Sequence, residues 1–205
     1  MTEVQSTKEV ILVTGATGLI GGHVVERLLR GNADLSVVAV ARRPERVETH
    51  GGRVSALRGD LCLPGLGVDE DVQALLAERV TGILHCAADI RFDLPLEEAR
   101  QINVEGTRTL LELGRRCARL EKFAHISTTY VSGRSPELLP EGRFENRHGF
   151  FSSYQETKYE AEHLAQEYGR ELPVAVYRLS TVIGNSRTGW VEQYNHFHQL
   201  LRLVQ

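Results

Sequence analysis

Short β-branched runs alternate along the chain with segments whose apolar residues recur at helical spacing. Residues 10–14 (Val-Ile-Leu-Val-Thr) form a strand-like run met at once by glycines. In 19–30 the apolar positions Leu19, Ile20, Val24 and Leu28 fall on one helical face, and Gly31 ends the helix. Residues 35–41 are apolar except for Ser36, the pattern of a strand covered on both faces. A weaker strand is predicted at 53–57, a helix at 69–79 and a strand at 81–86. One long helix is predicted over 96–118, with Ile102, Leu110, Leu111 and Leu113 as its apolar positions. A strand at 122–127, a helix at 152–168 followed by Gly169, and a sixth strand at 174–179 continue the alternation. A final amphipathic helix is predicted over 190–203. Residues 133–149, rich in Gly, Pro, Ser and charge, read as a loop: either a solvent loop or a flap over a substrate.

Alternating strands and helices imply an α/β fold, a doubly wound parallel sheet with helices on both faces. Six strands are the number that the dinucleotide-binding (Rossmann) order requires. With 205 residues the chain has material for one sizeable core. A hydrophobic fraction of 41% and a net charge of −3 exclude a disordered chain and give no basic face for nucleic acid. No apolar run approaches the roughly 18 residues of a membrane span, and the polar start lacks the apolar stretch of a secretory signal. Cys62, Cys86 and Cys117 are scattered, without CxxC spacing, so neither a disulfide framework nor a zinc site is expected, and a cytoplasmic setting is. Lysine occurs only at 8, 122 and 158.

Gly15-Ala-Thr-Gly18-Leu-Ile-Gly21 lies between the first strand and the first helix. Gly15 suits the tight turn, Gly18 a close approach of backbone to pyrophosphate, and Gly21 close helix-on-strand packing. The free amides of the helix start then face the phosphates, with Thr17, Leu19 and Ile20 in the same turn. After the second strand, where an acidic residue would favour NAD, stand Arg42 and Arg43, with Arg46 close behind. Arginine pairs with a 2′-phosphate, so NADP(H) is the expected cofactor. Asp60, with Leu61 after it, follows the third strand, where a carboxylate can accept from an adenine amine or serve its own turn.

Tyr154 and Lys158 stand four apart on one predicted helix and so share a face. A neighbouring ammonium and a cationic nicotinamide favour the phenolate, which is expected to lower the phenol below its usual pKa of about 10. Tyr154 could then exchange a proton with a carbonyl oxygen. Ser127-Thr128-Thr129 ends the fifth strand, on the edge where open parallel sheets bind ligands.

The glycine turn, the strand-end hydroxyls and the Tyr154–Lys158 pair resemble the extended short-chain dehydrogenase/reductase superfamily. His85-Cys-Ala-Ala-Asp-Ile-Arg-Phe-Asp-Leu, Asn103-Val-Glu-Gly-Thr107, His125-Ile-Ser-Thr-Thr-Tyr-Val-Ser-Gly133 and Tyr177-Arg-Leu-Ser-Thr-Val-Ile-Gly184 more narrowly resemble the thioester reductases. These include the fatty acyl-CoA reductases ("male sterility" domains) and the terminal reductase domains of carboxylic acid reductases and of peptide and polyketide synthases. The resemblance covers about residues 10–190. It implies Thr128 as the catalytic hydroxyl, with Ser127 the weaker candidate, Tyr154 as proton donor, and Lys158 on the nicotinamide ribose. Ala87 and Ala88 would line the cofactor, Asn103 would brace that region, and Ser180 would lie near the nicotinamide amide. It further implies hydride transfer from NADPH to the carbonyl carbon of an acyl-CoA or acyl carrier protein thioester. Thr128 and Tyr154 would stabilise the oxyanion, a thiol would leave, and an aldehyde or, after a second hydride, an alcohol would form.

Members of that family continue well beyond residue 205. The expectation is therefore a Rossmann domain over 1–184, with 185–205 the start of a substrate-binding subdomain that is mostly absent. An apolar face carrying Trp190 and residues 194–203 would lack its cover, so self-association into a homo-oligomer is expected. Competing readings are another extended short-chain enzyme, such as a nucleotide-sugar epimerase, dehydratase or hydroxysteroid-type dehydrogenase, and a non-catalytic NADP-binding fragment.

Overall fold

The computed structural model describes residues 9–189, 191 and 196–203. Its six strands are β1 (Val10–Thr14), β2 (Ser36–Ala41), β3 (Val54–Arg58), β4 (Gly82–His85), β5 (Lys122–Thr128) and β6 (Val174–Leu179). All neighbouring pairs are parallel, in the order β3-β2-β1-β4-β5-β6. The order reverses between β1 and β4. Chain leaving those two strands therefore diverges and opens a crevice at their carboxyl ends.

Side chains alternate across the sheet and build two cores. Leu12, Ile83 and Phe123 face one side, where Leu110, Leu111 and Leu164 cover them from α4 (Gly106–Arg116) and α5 (Ser153–Tyr168). Val13, Val37, Ala39 and Leu84 face the other, under Val25 and Leu29 of α1 (Leu19–Gly31). Helix α2 (Glu70–Arg79) adds Leu76 to the first core.

The long helix predicted over 96–118 is interrupted. It runs as α3 (Leu96–Arg100), a π-helical turn at Gln101–Glu105, then α4, which ends at Arg116. Buried Asn103 lies on this wider turn, where its side chain finds the partners described below. The last predicted helix is also shorter: α6 spans His196–Leu203, and Val191 is not helical. Phe197 and Leu201 of α6 are exposed; Trp190 and Tyr194, also assigned to the uncovered face, lie outside the described residues.

The loop over 133–149 is tied to the body. Arg178 of β6 donates through its Nη atoms to the carbonyls of Pro140 and Gly142. His163 of α5 bonds the Phe144 carbonyl at 2.9 Å, and Phe144 is buried. Asn146 donates to the carbonyls of Ser132 and Gly149. These ties hold the segment as a fixed wall beside α5. Among the described residues no helix is long and apolar enough to cross a membrane.

Candidate active site

The glycine turn owes its shape to two close approaches. Gly15 has φ of +74°, and a Cβ there would stand 2.7 Å from the Ala87 nitrogen. A Cβ at Gly21 would stand 2.2 Å from the Gly15 carbonyl oxygen. Backbone meets backbone at both points, so no side chain can be accommodated by a rotamer change. Gly18 caps α1 in an extended conformation without a side chain, leaving the helix start open.

Beyond this turn lies a cleft of about 660 Å³ at the switch between β1 and β4. Of the predicted residues, Gly15, Thr17 and Gly18 form one wall, Arg42, Arg46, Asp60 and Leu61 a second, and Ala87 and Ala88 a third. Leu19 and Ile20 open α1 beside them, outside the lining. Ser180 sits just past β6, exposed and outside this lining. The Asp60 carboxylate also accepts the Cys62 amide at 3.0 Å, so one oxygen serves its own turn. Cys62, Cys86, Asp89 and Ile102 also line the cleft; the sequence motifs did not single them out. The open helix start, the side-chain-free backbone and the cleft's size fit a dinucleotide diphosphate.

Tyr154 enters from the first turn of α5. Ser152 caps that helix by accepting the Gln155 amide, and Gln155 accepts the Phe151 amide at 2.8 Å, a reciprocal cap that fixes where the helix begins. The Thr128 hydroxyl lies near enough to the Tyr154 phenol to favour its charged form, and Phe92 packs edge-on against the phenol ring at 5.6 Å. Ser127 faces elsewhere and donates to the buried Glu162 carboxylate at 2.8 Å. Of these two neighbouring hydroxyls, Thr128 is the one that reaches the phenol.

One electrostatic expectation is corrected. The Tyr154 phenol is raised above its ordinary value, because burial opposes its charged form more than the Thr128 bond favours it; nearby Tyr130 raises it further. The Lys158 ammonium, expected to lower it, is directed to β5. Its Nζ donates to the Ile126 carbonyl at 2.8 Å and stands 3.4 Å from His125 Nε2. Burial pushes Lys158 down to about 8, opposed by Glu162 and Cys86.

Asn103 braces the site as expected. It donates to the Asp89 carbonyl and Thr157 Oγ1, both at 3.0 Å, and accepts the Asp89 amide at 2.8 Å. The π turn thereby ties the loop after β4 to the helix that carries Tyr154 and Lys158.

Two buried histidines were missed. Thr14, His85 and His125 are register partners on β1, β4 and β5, so they point to the same face. Thr107 Oγ1 spends its hydrogen on the Asn103 carbonyl, so it accepts from His85 Nε2 at 2.9 Å; His85 Nδ1 then accepts from Thr14 at 2.7 Å. The available signal was a polar residue at an inward position near the end of an apolar strand.

Burial, then the Lys158 ammonium, pushes His85 down to about 3; His125 is held well below 6.5 by the same causes and by His85. An unfolded imidazole protonates near 6.5, whereas these do not, so the unfolded state binds more protons as pH falls below that value. Unfolding free energy is therefore expected to fall below pH 6.5, by about 1.4 kcal/mol per pH unit for each histidine. Urea melts between about pH 7 and pH 5 read this slope. A flat profile would show that the fold does not hold the two rings neutral.

The sequence profile described as male sterility protein matches residues 13–54 and 45–205. The chain belongs to that family. This male sterility family member is 27% identical to the fatty acyl-CoA reductase wat of Drosophila melanogaster, over 89% of the chain and 45% of that protein. It is 31% identical to the isonitrile lipopeptide synthase of Streptomyces coeruleorubidus, over 96% of the chain and 15% of that protein. The chain thus spans less than half the length of either relative. Among solved structures it resembles the terminal R domain of the myxalamid PKS-NRPS pathway, with a TM-score of 0.81, 29% identity, and coverage of 98% of this chain and 55% of that one. It also resembles the UDP-glucuronic acid 4-epimerase of Bacillus cereus in complex with NAD, with a TM-score of 0.70, 28% identity, and coverage of 85% and 57%.

Proposed function

We propose that the chain is the cofactor-binding and catalytic half of an NADPH-dependent oxidoreductase that reduces acyl thioesters, held on CoA or on a carrier protein, to an aldehyde or an alcohol. The observation that carries this reading is the hydroxyl pair of Thr128 and Tyr154 at the carboxyl edge of a sheet that opens a dinucleotide-sized cleft at its switch point. Gly15 and Gly18 hold the pyrophosphate on their backbone. Lys158 is assigned to the nicotinamide ribose, Ser180 to the nicotinamide amide. When bound, the reduced nicotinamide supplies the hydride. Thr128 and Tyr154 hold the thioester oxygen by hydrogen bonds that strengthen as it gains charge, and Tyr154 then supplies the proton. Residues 1–184 make up this half, and 185–205 begin the acyl-binding region. Three free thiols suit a reducing cytosol.

The similarity to a fatty acyl-CoA reductase and to a lipopeptide synthase supports a thioester substrate. Oxidation of NADPH with a panel of acyl-CoAs, set against UDP-sugars, tests it in this chain and in a C-terminally extended version. Isomerisation of a UDP-sugar without net NADPH oxidation, read by product analysis, would favour the epimerase-like reading that the Bacillus cereus neighbour supports. NADP over NAD rests on Arg42, Arg43 and Arg46 along the cleft at the end of β2. Arg42→Ala is expected to weaken NADPH binding about tenfold or more, through loss of a charge-assisted bond, and to leave NADH binding unchanged. Parallel fluorescence titrations with both cofactors measure the difference, and equal losses would remove the 2′-phosphate role.

A further inference from the structure

His85 and His125 are the largest buried polar groups that the proposed chemistry leaves unused, and their placement is systematic. The row Thr14, His85, His125 crosses three strands at one register, on the face packed by α4 and α5. His85 is locked at both nitrogens between Thr14 and Thr107. Its ring stands 5.3 Å from that of His125. The His125 side chain, fully buried, has one polar neighbour: Nε2 lies 3.4 Å from Lys158 Nζ, while Nδ1 has no partner among the described residues. An ammonium can only donate, so Nε2 must be the unprotonated nitrogen and Nδ1 must carry the hydrogen. A buried N–H without a partner is costly, and the other tautomer would leave Nδ1 free to stay bare. The tautomer that the Lys158 contact demands is therefore one that the rest of the pocket does not reward.

We propose that His125 is a positioning residue for Lys158: its Nε2 lone pair, together with the Ile126 carbonyl, anchors the lysine ammonium on β5, with His85 holding the imidazole from behind. The groups that face the ammonium are Glu162 from its own helix, Cys86 from the loop after β4, His85 from β4 and His125 from β5. Glu162 is engaged by Arg178, Ser127 and Gln166. His85 is saturated by two threonines. Burial pushes the Cys86 thiol up to about 11, so it stays neutral and is a weak acceptor. This leaves His125 as the side chain placed to accept a hydrogen bond from Nζ without already serving another group. An ammonium has three hydrogens, so with one on the Ile126 carbonyl and one on His125 the third remains for a ribose hydroxyl. The link to cofactor binding rests on the role proposed above for Lys158; the anchoring itself does not.

With three lysines in the chain, side-chain carbon labels on lysine give three resonances, assigned by single Lys→Arg changes. In the wild-type protein below neutral pH, nitrogen spectra of the histidines are expected to show His125 protonated at Nδ1. In His125→Phe the Lys158 titration midpoint is expected to drop by about one pH unit, because the charged form loses an acceptor. His125→Gln, whose side-chain oxygen can accept the same bond, is expected to stay near wild type. Proton at Nε2 in the wild type would overturn the proposal even if His125→Phe fails to fold. So would an unchanged Lys158 midpoint in folded His125→Phe. NADPH affinity, read by fluorescence, is expected to fall several-fold in His125→Phe and to recover in His125→Gln. If the wild type binds no NADPH while the Lys158 midpoint still moves, the anchor stands and the cofactor role of Lys158 fails.

Discussion

Changing Tyr154 to phenylalanine is expected to lower turnover on an acyl thioester by roughly 10²–10⁴-fold while leaving cofactor affinity unchanged. The substitution removes one oxygen and keeps the ring, so the edge-on packing against Phe92 survives. What is lost is the hydroxyl that lies beside Thr128 and the proton it would deliver. Because burial raises the phenol above its ordinary value, Tyr154 is protonated at neutral pH and enters the reaction as a donor. Stopped-flow NADPH oxidation gives the rate, and fluorescence titration gives the affinity. A rate equal to that of the wild type would eliminate Tyr154 as the acid. A joint loss of rate and affinity would instead assign the hydroxyl to binding.

The second large effect concerns stability. Glu162 and Arg178 form an ion pair whose side chains are 2% and 12% exposed. Arg178 Nε stands 3.0 Å from both carboxylate oxygens, and the same carboxylate accepts from Ser127 and from Gln166. Removing either partner strands a charge in the interior. Glu162→Leu or Arg178→Leu alone is expected to cost about 3–5 kcal/mol, and the double replacement to recover most of it. Urea denaturation of the four proteins at neutral pH yields the coupling between the two sites. Single variants as stable as the wild type would show that the pair carries little. In the double variant the Pro140 and Gly142 carbonyls still lose their donor. Limited proteolysis should therefore cut within 133–149 even where stability has returned.

Much of the molecule could be read from local pattern. The strands at 10–14 and 174–179 have the predicted bounds, and the other four agree to within about one residue at each end. The glycine spacing located the cleft because Gly18 and Gly21 act within the turn itself, while Gly15 also answers to the Ala87 backbone far along the chain. The Tyr154–Lys158 spacing announced a shared helix, yet it did not tell where the ammonium points. That depended on β5 passing beneath α5 with the Ile126 carbonyl turned toward it. The choice between Ser127 and Thr128 was likewise not local. Successive strand residues face opposite sides of a sheet, and what each meets is set by elements far along the chain: Glu162 for one, Tyr154 for the other. The interruption at 101–105 escaped periodicity because a single five-residue turn, with Ile102 its one assigned apolar position, is too short to show a period of its own.

Periodicity and turn chemistry, which act over a few residues, were enough to determine the α/β alternation, the glycine turn and the helix bearing Tyr154. The tertiary structure alone decided the register that lines up Thr14, His85 and His125, the pinning of 133–149 by Arg178, and the direction of Lys158. Those features join residues 30 to 70 or more positions apart. Pairing at that distance is selected by the packing of the whole sheet, and no window of the sequence contains both partners.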